Sequence, residues 1–406
     1  MPVLEAAILG TAFKFGTQGT AIPGNSPAIG IWILRGGVCA AFAILLLDAG
    51  AIRGCFPHGE WDAQFIWNIR GKFLAGGPNV WRAATTASVD GVPAGVAHPD
   101  YPLLVSSFAG RAWALDDGFD PAIPFAAGVL FAVSLVCVLA GGLARVTSEA
   151  AGLIAAAALL GCELFASWSA AQYADIPVAL YALSSIATLA WARVRDWALP
   201  LLLLSGFFAG AAAWTKNEGI AFVAWLLAAA LWFGGRRAIA WVAVGAIPMI
   251  ALTAAFKVFL AAPSSAGLAG SLADIAAGLG QGERWWLVLS SFAMNLYAVA
   301  PWWAHPVLLL GIAAYVLGWL PAPERNRNWR LLVASLGLLL TDAAVLLTTP
   351  HKLDWNLNTA TDRLVLQVLP CLIFVVSMSM RAPVATVVTE KVEDRSPKSR
   401  RKSKNR

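Results

Sequence analysis

Charge is scarce in this chain. Asp, Glu, Lys and Arg make up 13% of its 406 residues while 59% are hydrophobic, about half the charged share of a typical soluble domain. The scarcity excludes a water-soluble domain of this length and sets the class as an integral membrane protein. Cysteine is thin too, with five residues scattered singly. Cys39, Cys137, Cys162 and Cys371 fall inside apolar runs and read as small core residues, and Cys55 stands alone outside them. Neither a disulfide framework nor a Cys-type metal site is encoded. The first 29 residues also lack the basic segment, apolar segment and cleavage site of a signal peptide in the required order. The first span therefore reads as a retained anchor.

What the chain does have is long apolar runs. They lie near residues 30–50, 122–144, 151–170, 176–192, 198–214, 219–234, 238–260, 303–320, 331–349 and 363–380, each close to the roughly 20 residues that a spanning helix needs. The expected fold is an all-α polytopic membrane protein of about ten transmembrane helices. Orientation follows from the basic residues. With residues 1–29 as a cytoplasmic segment, Arg145, Arg193, Arg195, Arg236, Arg237, Arg325, Arg327 and Arg330 all fall in short cytoplasmic loops. The basic tail, 382–406, joins them as a disordered cytoplasmic segment that touches anionic lipid rather than nucleic acid. Long loops weigh little in this rule, so the basic residues of the outer loop 51–121 do not reverse it.

Two outer segments are long enough to hold structure. In the loop 51–121, Trp61, Phe65, Ile69 and Phe73 recur every four residues and line one side of a helix. Such a helix lies in the interface with its aromatic side in lipid, while Asp62, Asn68, Arg70 and Lys72 face solvent or a cavity. In the segment 261–302, residues 271–300 read as a re-entrant or interfacial helix, because counting them as a separate span would put Arg325 to Arg330 outside.

Five polar motifs punctuate the apolar chain: Glu60-Trp61-Asp62, His98 to Pro102, Tyr173 to Pro177, Trp214 to Gly219, and Trp355 to Arg363. Threaded in order, all five emerge on one side of the bilayer. A site assembled from several helices requires that convergence. Asp62, flanked by Trp61 and Trp67, is a candidate general base, with a helix N-cap as the plainer reading. Asp175, two residues before Pro177, reads first as a helix cap. Glu60 and Asp62 could offer two carboxylates to a hard cation, a common spacing and weak support for a metal. Lys216 and Glu218 occupy a turn too short to lie anywhere but at the surface, where a local salt bridge is the plain reading. Arg363 opens the last helix behind Asp362. Arginine and lysine together suit a phosphate, which Arg grips through its fork and Lys as a point charge. Of two carboxylates inside spans, Glu163 lies nearer the outer end and hence nearer the site than Asp342.

In order and content, WDAQFIWNIRGKFLAGG, HPDYPLL, WTKNEG and TATDRLVLQVLP resemble the bacterial GT-C glycosyltransferases of the protein O-mannosyltransferase and aminoarabinose transferase type. The resemblance covers roughly residues 30–380. It implies a GT-C-like domain over 30–381 with interfacial helices in its first outer loop. It also implies inverting sugar transfer from a polyprenyl-phosphate carrier to an envelope acceptor, on the outer face of the cytoplasmic membrane. Asp62 would match the family's catalytic aspartate, and Lys216 and Arg363 would hold the lipid phosphate. Glu60, His98, Asp100, Tyr101, Asp175 and Glu218 complete the expected substrate-binding set. Many relatives have Asp-Glu where this chain has Asp62-Ala63, which leaves a divalent cation open and assigns no metal ligand. The absence of the soluble C-terminal domain of some members leaves acceptor recognition unlocated. The rival classes are a secondary transporter, which predicts midplane charges and two similar halves, and a non-catalytic protein that binds the lipid carrier.

Overall fold

A computed structural model describes residues 29–78, 80–86, 88–89, 92–93, 95–116, 118–262, 279–348 and 352–382. The expected cytoplasmic segment and basic tail lie outside these residues, apart from Ile29 and Ala382, as do residues 263–278 of the second outer segment. The described chain is all-α apart from a two-residue antiparallel ladder, Ser88–Val89 with Val92–Pro93.

In chain order the helices are α1 (Ile29–Cys55), a π-helical turn (Ala63–Asn68) running into α2 (Ile69–Ala75), α3 (Leu104–Asp116) and α4 (Ala122–Val146). Next come α5 (Glu149–Leu160), α6 (Glu163–Ala170), α7 (Asp175–Val194), α8 (Leu199–Thr215) and α9 (Glu218–Phe259). The last five are α10 (Gly282–Tyr297), α11 (Pro306–Leu317), α12 (Ala322–Trp329), α13 (Leu332–Thr348) and α14 (Leu353–Ser377). Six helical stretches are long and apolar enough to cross a membrane, and a seventh arises if α5 and α6, bent by 72° at Gly161 and Cys162, form one span. Large apolar side chains such as Ile44, Leu47, Trp232, Ile247, Val258 and Leu308 point outward uncovered. In water that surface would drive aggregation; in lipid it costs nothing. The protein is a multi-pass helical membrane protein.

Helix α9 is one run in name only. Straight, its 42 residues would reach about 63 Å, twice the hydrocarbon thickness. The backbone breaks at Gly235, with φ 74° and ψ −167°, a region essentially reserved for glycine. Contacts on either side of the break fix the direction of each half. Before it, Phe233 and Gly234 meet Trp197 while Gly219 abuts Ala212, so that half runs antiparallel to α8. After it, Gly245 abuts Leu203, Gly210 abuts Met249, and Phe256 packs on Trp214, so that half runs parallel. The chain therefore reverses at Gly235, which keeps the expected runs 219–234 and 238–260 as separate passes of the bundle.

The described part of the second outer segment, α10, packs beside the last helix. Ser291 of α10 bonds Thr361 of α14, the 298–305 break passes the α5–α6 bend through Leu164 and Val299, and the end of α11 pairs with Ser379 and Arg381. Helices α10 and α11 thus both run beside α14. Residues 271–278 of the expected re-entrant or interfacial helix lie outside the described residues. The last helix also begins earlier than expected: the polar stretch from Leu353 to Asp362 is its first part, so Arg363 lies about 15 Å along it rather than at its entry.

Helix α7 is buried nearly all round and packs against α4, α8 and α14. A central helix so enclosed can present a polar residue only at an end. Asp175, its first residue, does so.

Candidate functional site

Four segments bring the polar motifs to one end of the bundle. Asp62 precedes the π-helical turn, Asp175 opens α7, Lys216 and Glu218 flank the α8–α9 turn, and Arg363 faces them from α14. Together they line a cavity of about 620 Å³, within the range usual for small-molecule sites.

Along one wall the charges alternate. Arg363 Nη1 donates to Asp62 Oδ2 and lies 3.8 Å from Asp175 Oδ2; Lys216 Nζ lies 3.2 Å from Asp175 Oδ1 and 3.1 Å from Glu218 Oε1. Gln367 donates to Asp175 Oδ1 at 2.6 Å. Asp175 is thus the hub, shared by both cations, and its carboxylate caps no helix. Asp62 caps none either; its backbone N–H donates to the Tyr173 hydroxyl at 3.0 Å. The Arg363 guanidinium sits 5.0 Å from the Tyr173 ring centroid and 5.6 Å from that of Trp168. Such stacking holds the fork in place by cation–π attraction.

Burial and neighbours set the protonation states outside the spans. Burial pulls the Lys216 ammonium down, and the carboxylates of Asp175 and Glu218 outweigh it, so its pKa lies above the ordinary lysine value. Lys216 is a permanent cation. Burial raises Glu60, with Asp362 and Asp62 adding to the rise against the pull of Arg363. Burial lowers His98, whose ring stacks on Tyr101 at 4.8 Å between centroids and whose Nδ1 has no partner among the described residues.

The expected site residues are largely brought together. Asp62, Glu60, His98, Tyr101, Asp175, Lys216, Glu218 and Arg363 all line the cavity. Asp100 does not. Its carboxylate accepts from Asn217 Nδ2 at 2.9 Å and pairs with Lys257 at 3.3 Å, which ties the HPDYP segment to both ends of α9. Glu163 is exposed at the start of α6 and away from the lining, whereas Asp342 of α13 is in it; the choice between the two carboxylates is reversed. Position along a span was a poor guide because the run bends by 72° just before Glu163.

The loop helix is also revised. Trp61 and Phe65 are exposed as expected, but Asn68 and Arg70 are buried in protein. Arg70 donates to the carbonyls of Ala84 and Tyr101 at 2.6 Å each. Burial lowers its pKa to about 10, partly offset by Asp100, so it clamps the outer loop as a cation. The π-helical turn changes the phase of the helix between Phe65 and Ile69. A strict 3.6-residue period could not show this.

Trp168, Tyr173, Asp342, Asn356 and Asp362 line the cavity unforeseen as site residues. Tyr173, Asn356 and Asp362 fall inside the polar motifs singled out above and Asp342 stood out as a carboxylate inside a span, while Gln367, which bonds Asp175, showed as a polar residue one helical turn beyond Arg363 in an apolar run. Among the described residues, no group of three or more His, Cys, Asp or Glu side chains is placed to hold a metal ion; Asp62 is turned to Arg363 rather than to Glu60. Comparison with family models, curated proteins and solved structures finds no match for this chain.

Proposed function

We propose that this chain is a GT-C-type membrane glycosyltransferase that moves a sugar from a polyprenyl-phosphate carrier to an envelope acceptor. The reaction takes place on the outer face of the cytoplasmic membrane, with inversion. The observation that carries the proposal is the charge-alternating wall Asp62–Arg363–Asp175–Lys216–Glu218, set in a cavity at the end of the bundle where all five polar motifs meet. In this reading the chain crosses the bilayer ten times, counting α5 with α6, α10 with α11, and α9 as two passes.

The chemistry needs one base for the acceptor hydroxyl and one cationic cradle for the departing phosphate. In the proposed reaction Asp62 takes the proton of the acceptor hydroxyl, and the acceptor oxygen bonds the anomeric carbon. The bond from that carbon to the phosphate oxygen breaks, and its electron pair stays on the phosphate. Arg363 and Lys216 balance the charge left there. In the free protein Arg363 is committed to Asp62. Phosphate oxygens drawing Arg363 away would release Asp62 to act as base only when the donor is in place. No step is routed through a metal.

The test is donor affinity in nanodiscs for Lys216→Met, Arg363→Gln and the double variant, with thermal unfolding as a check on folding. Each single should weaken binding of a polyprenyl-phosphate hexose, and the double should lose less than the sum because both cations touch one group. Unchanged affinity in all three removes phosphate recognition from this wall and the mechanism with it.

A further inference from the structure

Beyond the charge-alternating wall the lining of the cavity is polar and incomplete. Asp342 is 2% exposed on α13, and neither of its carboxylate oxygens has a hydrogen-bond partner among the described residues. It lies one turn before Val345 and Leu346, which line the same cavity, so the helix aims it inward rather than into lipid. Two neighbours in the lining share its condition. Glu218 Oε2, from α9, and Asn356 Nδ2, from α14, are also buried without a partner among the described residues. Buried polar atoms are nearly always satisfied, and each orphan costs stability. Four such atoms from three helices, with His98 Nδ1 a fifth from the outer loop, border one cavity and are spare capacity for a ligand. Two carboxylate groups and one amide N–H accept several hydroxyl donors and give one back, while Val345, Leu346 and Leu364 supply an apolar floor.

We infer that Asp342, Glu218 and Asn356 form a subsite for an uncharged monosaccharide ring, with Asp342 as its specificity-determining residue. That this ring is the carrier-linked donor sugar rests on the transferase reading; that it is a ring of hydroxyls rests on the orphaned atoms. Glu218 joins the two parts of the cavity, because its other oxygen meets Lys216. The sugar therefore lies against the cation that would hold the phosphate to which it is bonded.

The test uses Asp342→Asn and Asn356→Ala in nanodiscs, with three probes: polyprenyl phosphate, polyprenyl-phosphate hexose, and a panel of neutral methyl hexosides and pentosides. Wild type should bind the sugar-bearing carrier more tightly than the bare one, and at least one methyl glycoside should raise its thermal midpoint. Asp342→Asn should reduce the sugar-dependent gain roughly tenfold to a hundredfold and abolish the glycoside shift, while binding the bare carrier like wild type. It should also unfold at a higher temperature than wild type without ligand, since an unpaired buried carboxylate is gone. Asn356→Ala should show a smaller loss of the same kind. If wild type binds the bare carrier but no glycoside, or if the sugar-dependent gain survives in Asp342→Asn, the subsite is overturned and the transferase reading stands. If glycosides bind through Asp342 while neither carrier binds, the transferase reading falls and the subsite stands.

Discussion

At the scale of single residues, Asp62 and Arg363 are each other's restraint, and this separates two roles that mutation usually confounds. Asp62→Asn removes the proton acceptor and also weakens the hold on Arg363. Transfer by Asp62→Asn should fall by about 10² or more, yet its affinity for bare polyprenyl phosphate should rise, because the phosphate no longer competes with a carboxylate. Single-turnover transfer and carrier binding on one preparation check both; lower carrier affinity would show that Asp62 helps bind phosphate instead of restraining its ligand. His98 gives a pH prediction. Burial lowers its pKa from the ordinary 6.5, so the folded state holds its proton less well than the unfolded chain does. The stability contributed is present above the unfolded value near 6.5 and is lost as pH falls toward the lower folded pKa. Thermal midpoints between pH 7.5 and 5 should decline more steeply for wild type than for His98→Gln, and parallel slopes would rule out His98 as the acid-sensitive group.

At the scale of elements, the reversal at Gly235 decides whether α9 runs twice the membrane thickness or folds back. A Cβ at Gly235 would meet nothing within 4 Å, while one at Gly234 would strike the Trp197 ring. Gly235→Ala therefore isolates backbone strain from steric clash. It should cost on the order of 1–3 kcal/mol, read as a lower thermal midpoint in detergent, and a neutral outcome would mean that the turn tolerates an L residue. The apolar runs on either side were legible in the sequence because hydropathy reports length, and the Gly-Gly-Arg-Arg punctuation marked the turn. What the sequence could not show was how helices share a pass. The α5–α6 bend and the pairing of α10 with α11 depend on packing against α14, and neither leaves a trace in local composition. The site divides the same way. Asp62, Asp175, Lys216 and Arg363 were visible as polar interruptions, and so were Asp342 and Asn356, but that these two turn toward the cavity depends on the rotational setting of α13 and α14, which a linear pattern does not fix. Asp100 misled because its motif is as polar as its neighbours, although its charge is used up on Asn217 and Lys257.

At the scale of the molecule, charge is sorted between the two ends of the bundle. At the end away from the cavity, Arg35 bonds Glu149 at 2.8 Å, Arg193 bonds Asn328 at 3.1 Å, and Arg330 donates to the carbonyl of Trp232 at 3.0 Å. Basic residues thus dominate that end, and acids dominate the cavity. In the proposed orientation, which the positive-inside rule supports by putting the basic end in the cytoplasm, the cavity would face outward, where a soluble cytoplasmic nucleotide-sugar would not reach it. A cysteine-free background with single cysteines at Trp61 and at Arg237 tests this in sealed right-side-out vesicles. Trp61 is exposed at the cavity mouth, and Arg237 follows the Gly235 reversal at the other end. A membrane-impermeant thiol reagent added outside should label the first and spare the second, with the pattern inverted in inside-out vesicles. Labelling of both from one side would undo the fold-back at Gly235. A full inversion would keep the fold but turn the cavity to the cytoplasm, where a donor carried by an outward-facing lipid could not reach Arg363 and Lys216.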